Sequence, residues 1–308
     1  MVSLGLKNKK YLEKIFLGIF FGFVFAIIFT VFTSKPSFHK NTKKIVSEKE
    51  LISQYYEKAV FEKPKNLQTL NRMYSTVEKK SYRIPIVMYH YVEYVKDQGD
   101  TIRKSLDIIP SVFEKELKML NDNQYKTIFV KEVPKILSGD TPYSSRSAVL
   151  TFDDGYEDFY TDVFPLLKKY KVKATVYIVD DFIGRKGFLN EKEIKEIIDS
   201  NLVEIGSHTL DHFYLKKSPK SIATKQIIDS KKILENKFNI KIETFAYPFG
   251  AFDQYSLDTV RSAGYTAAVS VIPGIWQSGN NLFYLSRFRA GSFSYDNIIK
   301  FFENYKNK

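Results

Sequence analysis

The chain contains no cysteine. Disulfides, thiolate metal sites, a cysteine nucleophile and a lipid-anchored amino-terminal cysteine are therefore excluded. Tryptophan occurs once, and histidine only at His39, His90, His208 and His212. Any imidazole chemistry must draw on those four. Neither a glycine-rich phosphate loop nor a dinucleotide fingerprint is found, and no internal repeat is evident. Disorder throughout is excluded as well, because 44% of the 308 residues are hydrophobic.

Positive charge, in contrast, is plentiful, with a formal net charge of +12. Taken alone, it suggests a nucleic acid or an anionic surface as partner. Its position argues otherwise. Residues 1–80 carry 15 Lys+Arg against 6 Asp+Glu, whereas residues 81–308 carry 32 against 29. The excess belongs to the amino-terminal quarter, and no nucleic-acid partner is expected. Lys7, Lys9, Lys10 and Lys14 precede an uncharged apolar run from Ile15 to Ser34. As a helix that run is about 30 Å long, the thickness of a bilayer core. Lysines ahead of it place the amino terminus in the cytoplasm. The expectation is a cytoplasmic flank (1–14), a transmembrane anchor (15–34), an extracytoplasmic spacer (35–80) and a folded domain (81–308). Secretion after cleavage of a signal peptide is the rival reading.

From Ile84 onward, short apolar, β-rich runs alternate with amphipathic stretches. Strands are predicted over 84–90, 125–130, 147–153, 174–179, 203–208, 244–248, 265–270 and 282–290. Helical spacing marks 158–170, 189–201, 218–238 and 294–305. Ser111 with Glu114 reads as a capping box, Asn190 as an N-cap, and Ser218 as a cap followed by Pro219 in the first turn. Such alternation implies parallel pairing and an α/β fold, an irregular (β/α) barrel of about seven strands. Functional residues are then expected at the carboxyl ends of the strands.

Chemistry-bearing residues fall at those ends. Asp153 and Asp154 close an apolar strand in "LTFDDGY". Adjacent carboxylates repel, which a cation or a shared proton relieves, although an ordinary Asp-Asp-Gly turn has the same letters. In "GSHTLDH", His208 and His212 stand four apart. On a helical turn such residues share a face and can chelate one ion. Two neutral imidazoles and one carboxylate, with open positions left over, make the ligand set of a catalytic zinc. His90 ends the first strand in "MYHYV", where a satisfied core histidine is the plainer reading. "FAYPFG" runs from a strand into a turn. Arg287 and Arg289 share one face of a strand over 282–290 and call for a carboxylate partner.

"TFDDG", "SHTLDH" and "YPFG", in this order over roughly residues 84–305, resemble the polysaccharide deacetylases of carbohydrate esterase family 4. "PIVMYHYV" ahead of the Asp-Asp pair further resembles the branch acting on poly-β-1,6-N-acetylglucosamine, whose catalytic histidine lies on an early strand. The resemblance implies Asp153 as catalytic base, Asp154, His208 and His212 as metal ligands, and His90 as general acid. It also implies an oxyanion contact from the Phe249 backbone N–H, beside Tyr247. Where the family often has an arginine that holds the base, this chain has Ala246, and Arg287 stands in for it. The implied cofactor is a divalent ion, Zn2+ first, with Co2+ or Ni2+ as alternatives. The implied reaction is removal of N-acetyl groups from an extracellular N-acetylglucosamine polymer. Peptidoglycan is an alternative substrate, and a non-catalytic carbohydrate-binding protein the alternative function. With 26 Phe and 21 Tyr in the chain, stacking on sugar faces is expected. Trp276 is a candidate for that role, and a loop anchor is the competing account of it.

Overall fold

A computed structural model describes residues 80–97, 99–290 and 298–304. The expected anchor, its cytoplasmic flank and nearly all of the spacer lie outside the described residues. Among those described, no helix is long and apolar enough to cross a membrane.

The scaffold is a curled parallel sheet. Its strands are β2 (Ile86–Tyr89), β3 (Lys126–Thr127), β4 (Ser147–Phe152), β5 (Ala174–Ile178), β6 (Val203–Ser207), β7 (Thr244–Ala246), β8 (Ala267–Val269) and β10 (Phe288–Arg289). Seven run in the order β10-β2-β4-β5-β6-β7-β8, and β3 pairs with β4 off this path. Every pairing in the sheet is parallel. Strands β1 (Ser81–Arg83) and β9 (Trp276–Ser278) form a separate antiparallel pair that the sequence pattern did not reveal. The expected strand over 282–290 is mostly irregular. Leu285 bridges to Val269 of β8 while Phe288 pairs with Val87 of β2. One segment thereby touches both edges of the curled sheet, and Arg287 sits between the two contacts.

Strand parity sorts the side chains. Along β4, Ala148, Leu150 and Phe152 join the cluster under the helices, whereas Val149 joins the cluster inside the curl. Thr151 and Asp153 follow the parity of Val149, inward. By the same rule β6 sends Val203 and Ile205 toward the helices and Glu204, Gly206 and His208 inward. In β2, Val87 and Tyr89 face the helices and Ile86 faces the interior, which carries His90 inward as well. A period of two residues thus aims three chemically active side chains at one space.

The described helices are α1 (Thr101–Leu106), α2 (Pro110–Asp122), α3 (Val133–Ser138), α4 (Phe164–Tyr170), α5 (Glu191–Asp199), α6 (Lys220–Phe238), α7 (Gln254–Ser262) and α8 (Ile298–Asn304). Helices α2 and α4 to α8 pack on the outer face, α3 puts Val133 and Ile136 into the inner cluster, and α1 buries no side chain. Asn190 caps α5 as expected, accepting from the N–H groups of Lys192 and Glu193. Two other caps differ. Helix α2 begins at Pro110 with Ile109 as its N-cap, so Ser111 and Glu114 form no capping box. A proline at the first helical position already lacks the donor that a cap would satisfy. Pro219 itself occupies the N-cap of α6, while the Ser218 hydroxyl donates to the Leu215 carbonyl. The helix expected over 158–170 opens with a turn of π-helix, Phe159–Val163, before α4. Of the helix expected over 294–305, the described part is α8.

Candidate active site

Asp153 follows β4, and its N–H donates to the Tyr89 carbonyl at 3.0 Å. Its carboxylate receives both terminal nitrogens of Arg287, at 2.8 and 2.7 Å. Arg287 is held in turn by the Ser270 carbonyl (2.8 Å) and the Thr151 hydroxyl (3.0 Å). Both members of the pair are buried. Burial by itself would raise the Asp153 carboxyl, but the guanidinium overcomes this and holds it below the ordinary range. Asp153 is therefore a fixed carboxylate with one defined direction of approach. Arg289 lies in β10, and its charge is felt by His90.

Asp154 and Gly155 both take left-handed backbone, at φ 74° each. Asp tolerates this conformation, and Gly155 is required there, since a Cβ on it would lie 2.9 Å from Ile178 Cδ1. The turn swings Asp154 toward the end of β6. Its Oδ1 lies 3.3 Å from Nε2 of both His208 and His212. The two histidines are not on a helix, contrary to the spacing argument. They flank an irregular turn in which Thr209 (φ 68°) and His212 (φ 61°) are left-handed. For a β-branched residue such as Thr209 that conformation is strained, and the surroundings hold it in place. The Thr209 hydroxyl accepts the Phe213 N–H, Gln226 Oε1 accepts the Leu210 N–H, and the Leu210 carbonyl accepts the Asp181 N–H.

One ligand atom from each of Asp154, His208 and His212 lies within 4.8 Å of the others. Nδ1 of His208 faces the Ala246 carbonyl at 2.8 Å, so Nδ1 bears the proton. Nε2 then presents a lone pair to the Asp154 oxygen, which has no hydrogen-bond partner of its own. Two lone pairs face each other, and a cation between them removes the repulsion. The charge balance agrees. Burial disfavours charge on Asp154, yet the neighbouring His212 and His208 keep its carboxyl below the ordinary range, and the carboxylates draw His208 upward. This point between Asp154 and the imidazoles therefore favours one positive charge, which a cation or a proton on His208 can supply. Burial pushes His212 down to about 4, which leaves it neutral and able to ligate. This donor set fits a divalent ion of borderline softness.

His90 lines the same cavity of about 210 Å³, together with Asp153, Asp154, His208 and His212. Burial lowers its pKa, against the pull of Asp154 and Asp153. The sequence left Tyr91, beside His90, undecided between groove and core, and sequence reasoning missed Tyr156, Phe182 and Phe188, which with it form the aromatic wall of this cavity. Tyr91 stacks on Tyr156 with ring centres 3.9 Å apart, Tyr156 meets Phe188 at 5.0 Å, and Phe188 meets Phe182 at 4.7 Å. Tyr91 and Tyr156 directly follow "MYH" and "DDG", whereas Phe182 and Phe188 belong to the segment after β5 and carry no mark in the sequence.

Phe249 also lines the cavity, left-handed at φ 58°, with its ring 4.4 Å from that of His212. Tyr247 contributes a buried wall, and its hydroxyl donates to the Phe283 carbonyl at 3.0 Å. Trp276 is placed elsewhere. It pairs with Arg83, ahead of β2, whereas His90 follows β2. That separation is about 20 Å along the strand direction, so Trp276 is not a groove residue of this cavity. The reason is the β1–β9 pairing between segments nearly 200 residues apart, which no local pattern announces.

Comparison with known proteins agrees with this geometry. Residues 140–268 match the polysaccharide deacetylase family profile. YxkH of Bacillus subtilis, named for the polysaccharide deacetylases, is 33% identical over 212 residues, covering 69% of this chain and 73% of its own. The poly-β-1,6-N-acetyl-D-glucosamine N-deacetylase of Staphylococcus aureus is 28% identical over 218 residues, 67% of this chain and 75% of its own. Among solved structures, the Streptococcus pyogenes deacetylase PplD in complex with acetate superposes with a TM-score of 0.66 at 28% identity. It covers 72% of this chain and 98% of that one.

Proposed function

The chain belongs to the polysaccharide deacetylase family, hydrolases that act on amide bonds, and from that premise we propose that it removes N-acetyl groups from an extracellular N-acetylglucosamine polymer, poly-β-1,6-N-acetylglucosamine first. The observation that carries this reading is the union in one cavity of a clamped carboxylate, a three-donor metal site and a separate imidazole. The similarity to the staphylococcal enzyme and the early position of His90 support the β-1,6 polymer over peptidoglycan.

Asp154, His208 and His212 would hold a divalent ion, with zinc the best match to their chemistry. Such an ion supplies Lewis acidity at the acetyl carbonyl and ionised water at neutral pH. Asp153, ionised and fixed by Arg287, takes the proton of the attacking water. The Phe249 backbone N–H stabilises the oxyanion that develops on the carbonyl oxygen. An amine departs only when protonated, and His90 delivers that proton as the C–N bond breaks, leaving acetate and a free glucosamine amine. Phe182, Phe188 and Tyr156 offer apolar faces to sugar rings. The membrane anchor at 15–34 would tether this domain outside the cell.

The full chain, supplied with Zn2+ or Co2+, should release acetate from β-1,6-linked N-acetylglucosamine oligomers faster than from β-1,4-linked oligomers or peptidoglycan. Preference for peptidoglycan would move the substrate assignment there. No acetate from any of the three would leave a carbohydrate-binding role.

A further inference from the structure

A general acid must be aimed, yet the His90 ring is buried with no hydrogen-bond partner at Nδ1. Its orientation falls to the backbone that carries it, and the next three residues are gripped from two sides. The Val92 N–H donates to Asp158 Oδ2 at 2.5 Å, and the Glu93 N–H donates to Asp107 Oδ1 at 3.0 Å. Asp158 arrives from the segment after the Asp153–Asp154 pair, and Asp107 from the carboxyl end of α1. The Tyr91 ring lies between Tyr156 and the Arg103 guanidinium, at 3.9 and 4.2 Å. Arg103 also binds the Glu93 carboxylate, and the Ile108 N–H donates to the Tyr91 carbonyl at 3.1 Å.

We propose that Asp158, with Asp107 opposing it, is a positioning residue that clamps the Val92–Glu93 backbone and so sets where His90 delivers its proton. This rests on His90 as the proton donor. Asp158 is only 7% exposed. A carboxyl group buried there is costly, and an apolar side chain would fill the space without that penalty. The backbone N–H it accepts is what it adds. Burial raises Asp158 to about 7 and Asp107 to about 6, with Glu93 and Arg103 the charged groups facing both. Either protonation state keeps an accepting oxygen, and the ionised form grips harder.

Two substrates separate aiming from general damage. An N-acetylglucosamine oligomer needs its leaving amine protonated, whereas 4-nitrophenyl acetate expels a stable phenolate and needs no acid. In the full chain, Asp158→Ala should lower kcat on the oligomer on the order of 100-fold, with KM little changed. The loss on the aryl ester should stay below about 3-fold. Asp158→Asn keeps an acceptor for the Val92 N–H and should return the oligomer rate to within about 5-fold of wild type. Equal losses on both substrates, or an undiminished oligomer rate, would overturn the clamp. His90→Asn separates this failure from failure of the underlying reading. If His90→Asn is selective for the oligomer and Asp158→Ala is not, only the clamp falls. If His90→Asn is unselective, the proton donor and its clamp fall together. Should Asp158→Ala fail to fold, Asp107→Ala carries the same comparison, where a selective loss supports the clamp and an equal loss overturns it.

Discussion

Arg287 and Asp153 are joined by two parallel N–H···O bonds, at 2.8 and 2.7 Å, across 134 residues of sequence. The fork geometry fixes the carboxylate plane as well as its charge, which a single point charge does not do. Arg287→Lys should therefore keep the fold and the metal site but lower turnover on the order of 10- to 100-fold. Acetate release and metal content in the same preparation check this, and a wild-type rate with lysine would remove the positioning role. Arg287→Ala leaves a buried carboxylate unpaired and should cost about 3–5 kcal/mol in denaturant unfolding.

That pair also shows how far sequence could see. Asp153, Asp154 and His208 were legible because strand ends are local patterns, whereas His90 by itself reads as a core histidine and enters the site, like Arg287 as the partner of Asp153, through the resemblance to the family. The path of residues 282–290 was not legible, because its pairing with both sheet edges is a long-range outcome. The His208–His212 pair was found by the wrong route. Its spacing suggested a helix, whereas a turn with a left-handed Thr209 brings the rings together. Asp158 was hidden for the same kind of reason, since nothing near it in sequence shows that it meets Val92.

The metal reading separates ligand from base by two measurements. His208→Ala and Asp154→Ala should lose bound metal by elemental analysis and stop releasing acetate. Asp153→Asn should retain stoichiometric metal and still lose turnover by about 100-fold or more, the usual range for a general base. Stoichiometric metal in both ligand variants would refute the site. A chelator should abolish activity in the wild-type protein, and added Zn2+ or Co2+ should restore it.

Trp276 and Phe182 give a contrast in binding. Trp276 is 41% exposed on the β1–β9 pair, away from the cavity, whereas Phe182 lines the cavity. Trp276→Ala should leave kcat/KM on N-acetylglucosamine oligomers within about 2-fold. Phe182→Ala should raise KM about 5-fold, in keeping with roughly 1 kcal/mol for an aromatic contact. The reverse pattern would place the polymer on the β1–β9 face.

Gly206 makes room for the ring beneath the Arg287 guanidinium. A Cβ at this position would lie 2.4 Å from two ring carbons of Tyr177. The Tyr177 ring is 6.0 Å from the guanidinium carbon of Arg287. Gly206→Ala should cost about 1–3 kcal/mol through overpacking. Because the displaced ring supports Arg287, turnover should fall in protein that is still fully folded. Denaturant melts paired with kcat at low temperature test both parts, and unchanged stability would show that the ring shifts without cost.

Glu116 makes stability depend on pH in a direction opposite to most carboxylates. It is fully buried on α2, accepts the Tyr89 hydroxyl at 2.7 Å, and has its other oxygen unpartnered. Burial raises its pKa to about 8, against about 4.3 in an unfolded chain. Between those values the folded state holds a proton that the unfolded state has released. Its contribution is therefore complete below the lower value and is lost as pH rises through the higher one. From pH 7 to pH 9 the loss is about 1 kcal/mol, or a few degrees in Tm for a domain of this size. Asp180, raised to about 8, adds to the same trend, so the informative quantity is the difference between wild type and Glu116→Gln. Glutamine keeps an acceptor for Tyr89 and cannot titrate. Its Tm should fall less than that of wild type between pH 7 and pH 9, and parallel curves would mean that Glu116 is ionised in the folded protein throughout.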